Sequence, residues 1–261
     1  MVKQFSKKNE KELLDFLLKE KEWNLFMIGD LLNFGFEEEF LEYWGDYNEE
    51  GILSGVLMRF YDSFIIYSQR TYDTKGFAKI MRNYDYKILS GEESAINQMK
   101  DMIEFQQKRN TYYAVLRSEE RLPEITLNTL EKTKLKDLES LLSLQENEID
   151  EFDHNPSLDR IKNRYLSGTG RGYHVKDSAG NVISSVETSA ENPYAAMIIG
   201  VCTHPDYRNK GYASQLLIKT CQMVLDEGKS LCLFYDNPSA GKIYKRIGFE
   251  SLGQWSIWKK E

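Results

Sequence analysis

Histidine, cysteine and proline are scarce in this chain of 261 residues: three, three and five. Cys202, Cys221 and Cys232 are odd in number, lie within apolar runs and lack the paired spacing of a metal knuckle, so they read as buried packing residues. His154, His174 and His204 have no ligand pattern around them, so no metal is expected, and no Ser-centred nucleophile elbow is present. No uninterrupted apolar stretch is long enough to span a bilayer, and membrane association is not expected. The first residues, Met1 to Lys8, lead into charged sequence and not into an apolar core with a cleavage site, which points to a cytoplasmic setting. Cations are also in deficit. With 34 Lys and Arg against 41 Asp and Glu, the net charge of −7 argues against general nucleic-acid binding and leaves room for a cationic substrate.

What is there concentrates near the C-terminal end. The apolar run Ala195 to Val201 suits a strand covered on both faces, and Ala213, Leu216, Leu217, Cys221 and Val224 recur at helical spacing. Between them lies His204-Pro205-Asp206-Tyr207-Arg208-Asn209-Lys210-Gly211-Tyr212, a basic, glycine-bearing turn. The first turn of a helix carries unpaired N–H groups and the positive end of the dipole, so this junction suits an anion. Gly211 lets phosphate oxygens approach the backbone, Ala213 keeps the next turn small, and Arg208 and Lys210 add charge. A second segment, Asn237 to Phe249, is punctuated as a helix: Asn237 at the N-cap, Pro238 at the first position and Gly248 just past the end.

Arg208-Asn209-Lys210-Gly211-Tyr212-Ala213 resembles the Arg-x-x-Gly-x-Gly/Ala signature of the GCN5-related N-acetyltransferases (GNAT). Asn237 to Phe249 is similar to that family's Asn-x-x-Ala-x-x-x-Tyr-x-x-x-Gly-Phe segment. Two signatures in order are more specific than one, and with their flanking strands they cover the last third of the chain, with a weaker match back to about Leu135. The resemblance implies an α/β fold with a mixed, mostly antiparallel sheet flanked by helices, and an acetyl-CoA site. Val201 and Thr203 would pair with the pantetheine arm through their backbones, and the N–H of Cys202 or Val201 would stabilise the oxyanion. Asn209, Tyr212, Ser214 and Ala240 complete the cofactor contacts that the signatures imply. Tyr244 would protonate the departing thiolate, its ordinary pKa of about 10 keeping it protonated at neutral pH; the plainer reading is a packing tyrosine.

An alkylammonium must lose a proton before it attacks. Many relatives carry a glutamate on the strand entering the cradle, yet Met197 to Cys202 has no carboxylate. Glu187 on the preceding strand ranks first among replacements, ahead of His174 and Asp236, against the alternative of a solvated strand residue.

The coarse reading of the C-terminal part gives helices over 135–144 and 158–166 and strands over 172–176 and 182–188 joined by the turn Asp177 to Asn181. After the cradle helix come a strand over 230–235, a helix over 238–247 and a strand over 249–258. The first half repeats this order: helices 10–19 and 24–34, strands 40–46, 52–60 and 63–69, helix 75–81, strand 86–89, helix 92–105 and strand 111–117, with Asn48 to Gly51 as the hairpin turn. A diverged duplication follows, with two similar domains in tandem, 1–121 and 122–261, divided near Arg121-Leu122-Pro123. Lys75-Gly76-Phe77-Ala78 echoes Lys210-Gly211-Tyr212-Ala213, but Asp73 stands where Arg208 does and would repel a diphosphate, so the first copy is expected to carry no cofactor.

Two glycine segments mislead. Gly228-Lys229-Ser230 precedes a strand and reads as a turn, and Gly168 to Gly172 lacks the third glycine of a dinucleotide fingerprint and reads as a flexible substrate-side loop. Glu37-Glu38-Glu39 with Glu42 reads as a solvated helix end, with attraction of a polyamine or aminoglycoside as the alternative. The expectation is an acetyl-CoA-dependent transferase acting on a small-molecule or peptide amine, monomeric or homodimeric. The alternatives are a non-catalytic acyl-CoA-binding module and an acyltransferase with a longer donor.

Overall fold

The structure is a computed structural model that describes residues 1–127, 129–148 and 157–260, with the backbone only at 147 and 148. In chain order the elements are β1 (Val2–Gln4), α1 (Glu10–Leu17), α2 (Leu25–Phe34), β2 (Leu41–Tyr47), β3 (Leu53–Phe60), β4 (Ser63–Ser68), α3 (Thr74–Met81), β5 (Ile88–Glu92), α4 (Glu93–Asn97) and β6 (Gln107–Leu116). The same succession then recurs as β7 (Glu131–Lys132), α5 (Leu138–Glu148), α6 (Leu158–Leu166), β8 (Gly172–Lys176), β9 (Val182–Ser189), β10 (Ala195–Thr203), α7 (Tyr212–Leu225), β11 (Ser230–Tyr235), α8 (Pro238–Ile247) and β12 (Glu250–Lys259). No helix among the described residues is long and apolar enough to cross a membrane.

The chain forms two compact units: Met1–Tyr113 with Ser251–Glu261, and Ala114–Glu250. These do not follow a linear cut near Arg121-Leu122-Pro123. The boundary falls within β6, between Tyr113 and Ala114, and the last strand belongs to the first unit, where Trp255 to Lys259 pair antiparallel with Glu92 to Ile88. Tryptophan burial explains the placement. Trp258 lies in the first unit's core against Phe105, and Trp255 stacks on Trp23 beside Tyr113.

In the first unit the strand order is β1, β2, β3, β4, β5, β12 and β6, antiparallel from β1 to β4 and parallel between β4 and β5. Asn48 closes the β2/β3 turn as expected, its side chain accepting from the N–H groups of Glu50 and Ile52 while Gly51 takes a positive φ. β1 and β7 are too short to show an alternating pattern in sequence. The helix expected over 92–105 stops at Asn97, because Met99, Lys100 and Met102 bond to carbonyls three residues back and the chain tightens into turns.

In the second unit β11, β10, β9, β8 and β7 lie in that order, with the last residues of β6 beside β11. β10 and β11 are parallel; β7 to β10 are antiparallel, and the β8/β9 turn is the Asp177 hairpin read from sequence. α7 buries Leu216, Leu217, Cys221 and Val224 against Val175, Val186, Ala196, Ile198 and Leu231. Each fully buried side chain of that size contributes about 1.5–3 kcal/mol, which fixes the helix, and with it the cradle, on the sheet. The opposite face is covered by α5: Cys202 packs on Leu144, and Ser185, His174 and Glu187 share its face by strand register.

Candidate functional site

The site begins with an irregularity in β10. The ladder to β9 shifts between Ile199 and Cys202, and Gly200 within the bulge has φ +60. A side chain there would strain the backbone and meet Gln145 Nε2 and Glu187 Oε2 at 2.7 and 3.1 Å. Pairing of β10 with β11 covers Ala195–Ser230 to Met197–Cys232, while the strands continue to Thr203 and Tyr235. Beyond that point Val201 and Thr203 are half-buried strand residues. Ser185 Oγ donates to the carbonyl of Gly200 and Ser184 Oγ to that of Cys202, so the bulge is braced from β9.

Past Thr203 a short 3-10 turn, Pro205–Tyr207, leads into the basic loop. Arg208 Nε donates to the Thr203 carbonyl at 3.1 Å, and Lys210 lies 4.9 Å from the Tyr207 ring. Asn209 (φ +63) and Gly211 (φ +81) both take left-handed backbone, which turns the chain into α7. Arg208, Asn209, Lys210 and Gly211 are exposed; Tyr212, Ala213 and Ser214 are half-buried. No side chain caps α7, its first turn holds no acid, and a Cβ built on Gly211 would meet nothing within 4 Å. The first N–H groups of this 14-residue helix are thus left without a side-chain cap, at the positive end of its dipole. Arg246 of α8 adds a cation that sequence reasoning missed, its guanidinium donating to Ser214 Oγ at 3.5 Å; only the packing of α8 beside α7 reveals it.

The corresponding helix of the first unit is the reverse case. Asp73 caps α3, its Oδ1 accepting from the N–H of Gly76 at 2.8 Å, and the N–H of Asp73 is itself held by Asp46. A carboxylate of the chain occupies the position that an anion would take.

α8 is punctuated as its sequence suggests: Asn237 Oδ1 accepts from Ser239, Pro238 opens the helix and Gly248 closes it at φ +113. Ala240 is half-buried against the core. Tyr244 is 8% exposed, with the rings of Tyr235 and Phe249 at 5.6 and 6.0 Å. Gly241 lets the Tyr235 ring lie directly on the helix, where a Cβ would come within 2.6 Å.

Glu187 is not a solvated strand residue. It is fully buried on the face covered by α5 and α6, where Oε1 accepts from Arg164 (2.9 Å) and Tyr165 (2.8 Å) and Oε2 from Gln145 (2.5 Å). Burial and the neighbouring carboxylate push the Tyr165 phenol well above its usual pKa, so it remains a donor. His174 is also fully buried, its Nδ1 2.9 Å from Thr133 Oγ1, and burial lowers its pKa. Asp236 follows β11 and is half-buried, apart from this cluster in sequence; His154 lies outside the described residues. Gln145, Arg164, Tyr165 and Thr133 were not legible from sequence, because only helix packing over β9 brings them to Glu187.

The Gly168 to Gly172 segment is packed, not a loose loop. A Cβ on Gly170 would meet Arg164 and the Thr188 carbonyl at 2.5 Å, and Arg171 is clasped by Glu191 and Glu227. Arg171, with Lys229 helping, holds the Glu227 carboxyl down at about 2. Gly228 and Lys229 lie in the turn between α7 and β11, and Ser230 opens the strand. Glu37 to Glu39 are exposed after α2, and Glu42 is paired with Arg59.

Residues 184–252 match the family model described as an acetyltransferase (GNAT) domain. The whole chain is similar in structure to a Drosophila protein (TM-score 0.71, 13% identity, 99% of this chain and 98% of that one). It is also similar to a GCN5-related N-acetyltransferase from Sphaerobacter thermophilus (0.66, 11%, 100% and 95%). A third likeness is to a tandem GNAT protein of the clavulanic acid biosynthesis pathway (0.59, 12%, 99% and 98%). Comparison with curated proteins found no match. The mixed, mostly antiparallel sheet flanked by helices is the fold that these GNAT structures share. The chain has the fold of these structures in two GNAT-like halves, and residues 184–252, which match the family model, lie in the second.

Proposed function

We propose that the second unit is an acetyl-CoA-dependent N-acetyltransferase acting on a primary amine of a small molecule or peptide, and that the first unit is a degenerate copy without cofactor. The observation that carries this reading is the contrast between the two helix N-termini: α7 is uncapped and free of acid, whereas α3 is filled by Asp73. The residues fit the cofactor. The N–H groups of Gly211, Tyr212, Ala213 and Ser214, with Asn209, Arg208, Lys210 and Arg246, would hold a diphosphate, and the open space at Gly211 admits its oxygens.

Acetyl-CoA supplies the acetyl group as an activated thioester. Val201 and Thr203 offer backbone groups where β10 runs on past its pairing with β11, and the N–H of Val201 or Cys202 donates to the oxyanion beside the bulge. Asn237 and Ala240 set the start of α8 and so the placement of Tyr244, which gives its proton to the departing thiolate. Glu187 takes the proton of the amine: of about four acceptor positions on a carboxylate three are filled, leaving one on Oε2, the oxygen nearest the bulge.

Thiol release from acetyl-CoA against a panel holding a polyamine, an aminoglycoside and lysine amide tests this. Turnover with at least one amine, reduced on the order of a hundredfold in kcat by Tyr244→Phe, is the expected result. Tight acetyl-CoA binding without turnover on any amine would favour a binding module instead.

A further inference from the structure

We propose, on the strength of the transferase reading, that the amide nitrogen of Gln145 holds the place of the acceptor's nitrogen, so that an incoming ammonium displaces this side chain to reach Glu187. Glu187 is fully buried, and the position left on its Oε2 is closed to solvent. Arg164 and Tyr165 hold Oε1 at 2.9 and 2.8 Å, and among the described residues Gln145 alone bonds to Oε2, at 2.5 Å. The three donors are not equivalent. Loss of Arg164 would strand a buried charge, and Tyr165 is packed against the core of Leu138, Leu141 and Ile161. Gln145 is neutral and half-buried, and among the described residues its side chain makes this one hydrogen bond, so it can turn out to water at the cost of a single contact.

The same amide lies on the bulge. α5 buries Leu138, Leu141 and Leu144, and Gln145, four residues after Leu141, falls on that stripe, where an apolar residue is the rule. A Cβ on Gly200 would come within 2.7 Å of Gln145 Nε2 and 3.1 Å of Glu187 Oε2, so the glycine leaves room for a nitrogen between strand and carboxylate. The N–H groups proposed for the oxyanion belong to the next two residues, Val201 and Cys202, which puts a nitrogen at this place beside the acetyl carbon. An acceptor nitrogen must touch both the base and the bulge, and Gln145 Nε2 does both. Like the nitrogen of a primary amine, it is bonded to one carbon and carries its remaining valences as N–H.

Entry is then an exchange of hydrogen bonds. The one from the amide to Oε2 breaks, one from the ammonium replaces it, and the amide turns to water. With no amine present, the side chain returns and keeps the buried carboxylate oxygen satisfied.

Gln145→Ala and Gln145→Ser open the place, and Gln145→Met refills it with an apolar chain. The two opening variants are expected to lower the KM of the best alkylamine of the panel about tenfold, the worth of one hydrogen bond to a charged group, and the methionine variant to raise it. Propionamide, which has the shape of the missing side chain, should compete with the amine in Gln145→Ala and not in the wild type, an effect that a packing role does not produce. The acetyl-CoA Kd should hold in all three, reporting an intact cradle. A KM that rises in all three variants, or an alanine variant indifferent to propionamide, would overturn the assignment and leave the transferase reading in place. Absence of transfer by the wild-type protein to any amine would instead sink the transferase reading and this assignment with it.

Discussion

At the scale of single residues, Gly211 carries the heaviest constraint, because its φ of +81 and the open space above it both suit the diphosphate proposed for this site. Gly211→Asp adds backbone strain and a negative charge, and acetyl-CoA affinity should fall by about 3 kcal/mol, a hundredfold or more, in calorimetric titration. Gly180→Asp is the control: it has a comparable φ of +91 in the β8/β9 turn but no place in the cradle, so affinity should hold. Gly211 was legible because a turn between strand and helix is a local matter. The surroundings of Glu187 were not: Val182 to Ser189 mixes apolar and polar residues as a half-solvated strand does, and nothing in that pattern reports that α5 and α6 cover its polar face. Asp30 poses a different question, its carboxyl pushed up to about 7 by burial in the first unit. Folded pKa exceeds unfolded, so its contribution is fully present below about pH 4 and is lost as pH rises through 7. Asp30→Asn should therefore raise the urea midpoint at pH 8, by at most about 4 kcal/mol of stability, and change nothing near pH 4.

Among elements, α7 and α3 show how one helix type is used in two ways. Both enter from a strand and both carry a glycine in or before the first turn, but α3 satisfies its own N-terminus and α7 leaves its N-terminus open. α8 satisfies its start through Asn237, so Asn237→Ala should cost about 1 kcal/mol in chemical denaturation, with weaker acetyl-CoA binding as the start of the helix frays. Most elements were readable because their apolar residues repeat at helical or strand period; α6 and β8 fall where the pattern places them. The helix expected over 92–105 was not, since beyond Asn97 the buried Met99 and Ile103 sit on consecutive tight turns that keep a helical spacing with Ile96.

At the scale of the molecule, repetition of element order made the two similar halves visible, but the order of elements says nothing about which unit the last strand joins. β12 belongs to the first unit, so Trp258→Ala should cost about 3–5 kcal/mol and direct the earliest proteolytic cleavage into residues 1–113, far away in sequence. Early cleavage confined to 114–250 would contradict that assignment. The central claim, that of two similar units only the second loads acetyl-CoA, is tested most directly by the stoichiometry of acetyl-CoA titration. The account predicts one site per chain, abolished by Gly211→Asp; two sites per chain, or one that survives Gly211→Asp, would contradict it.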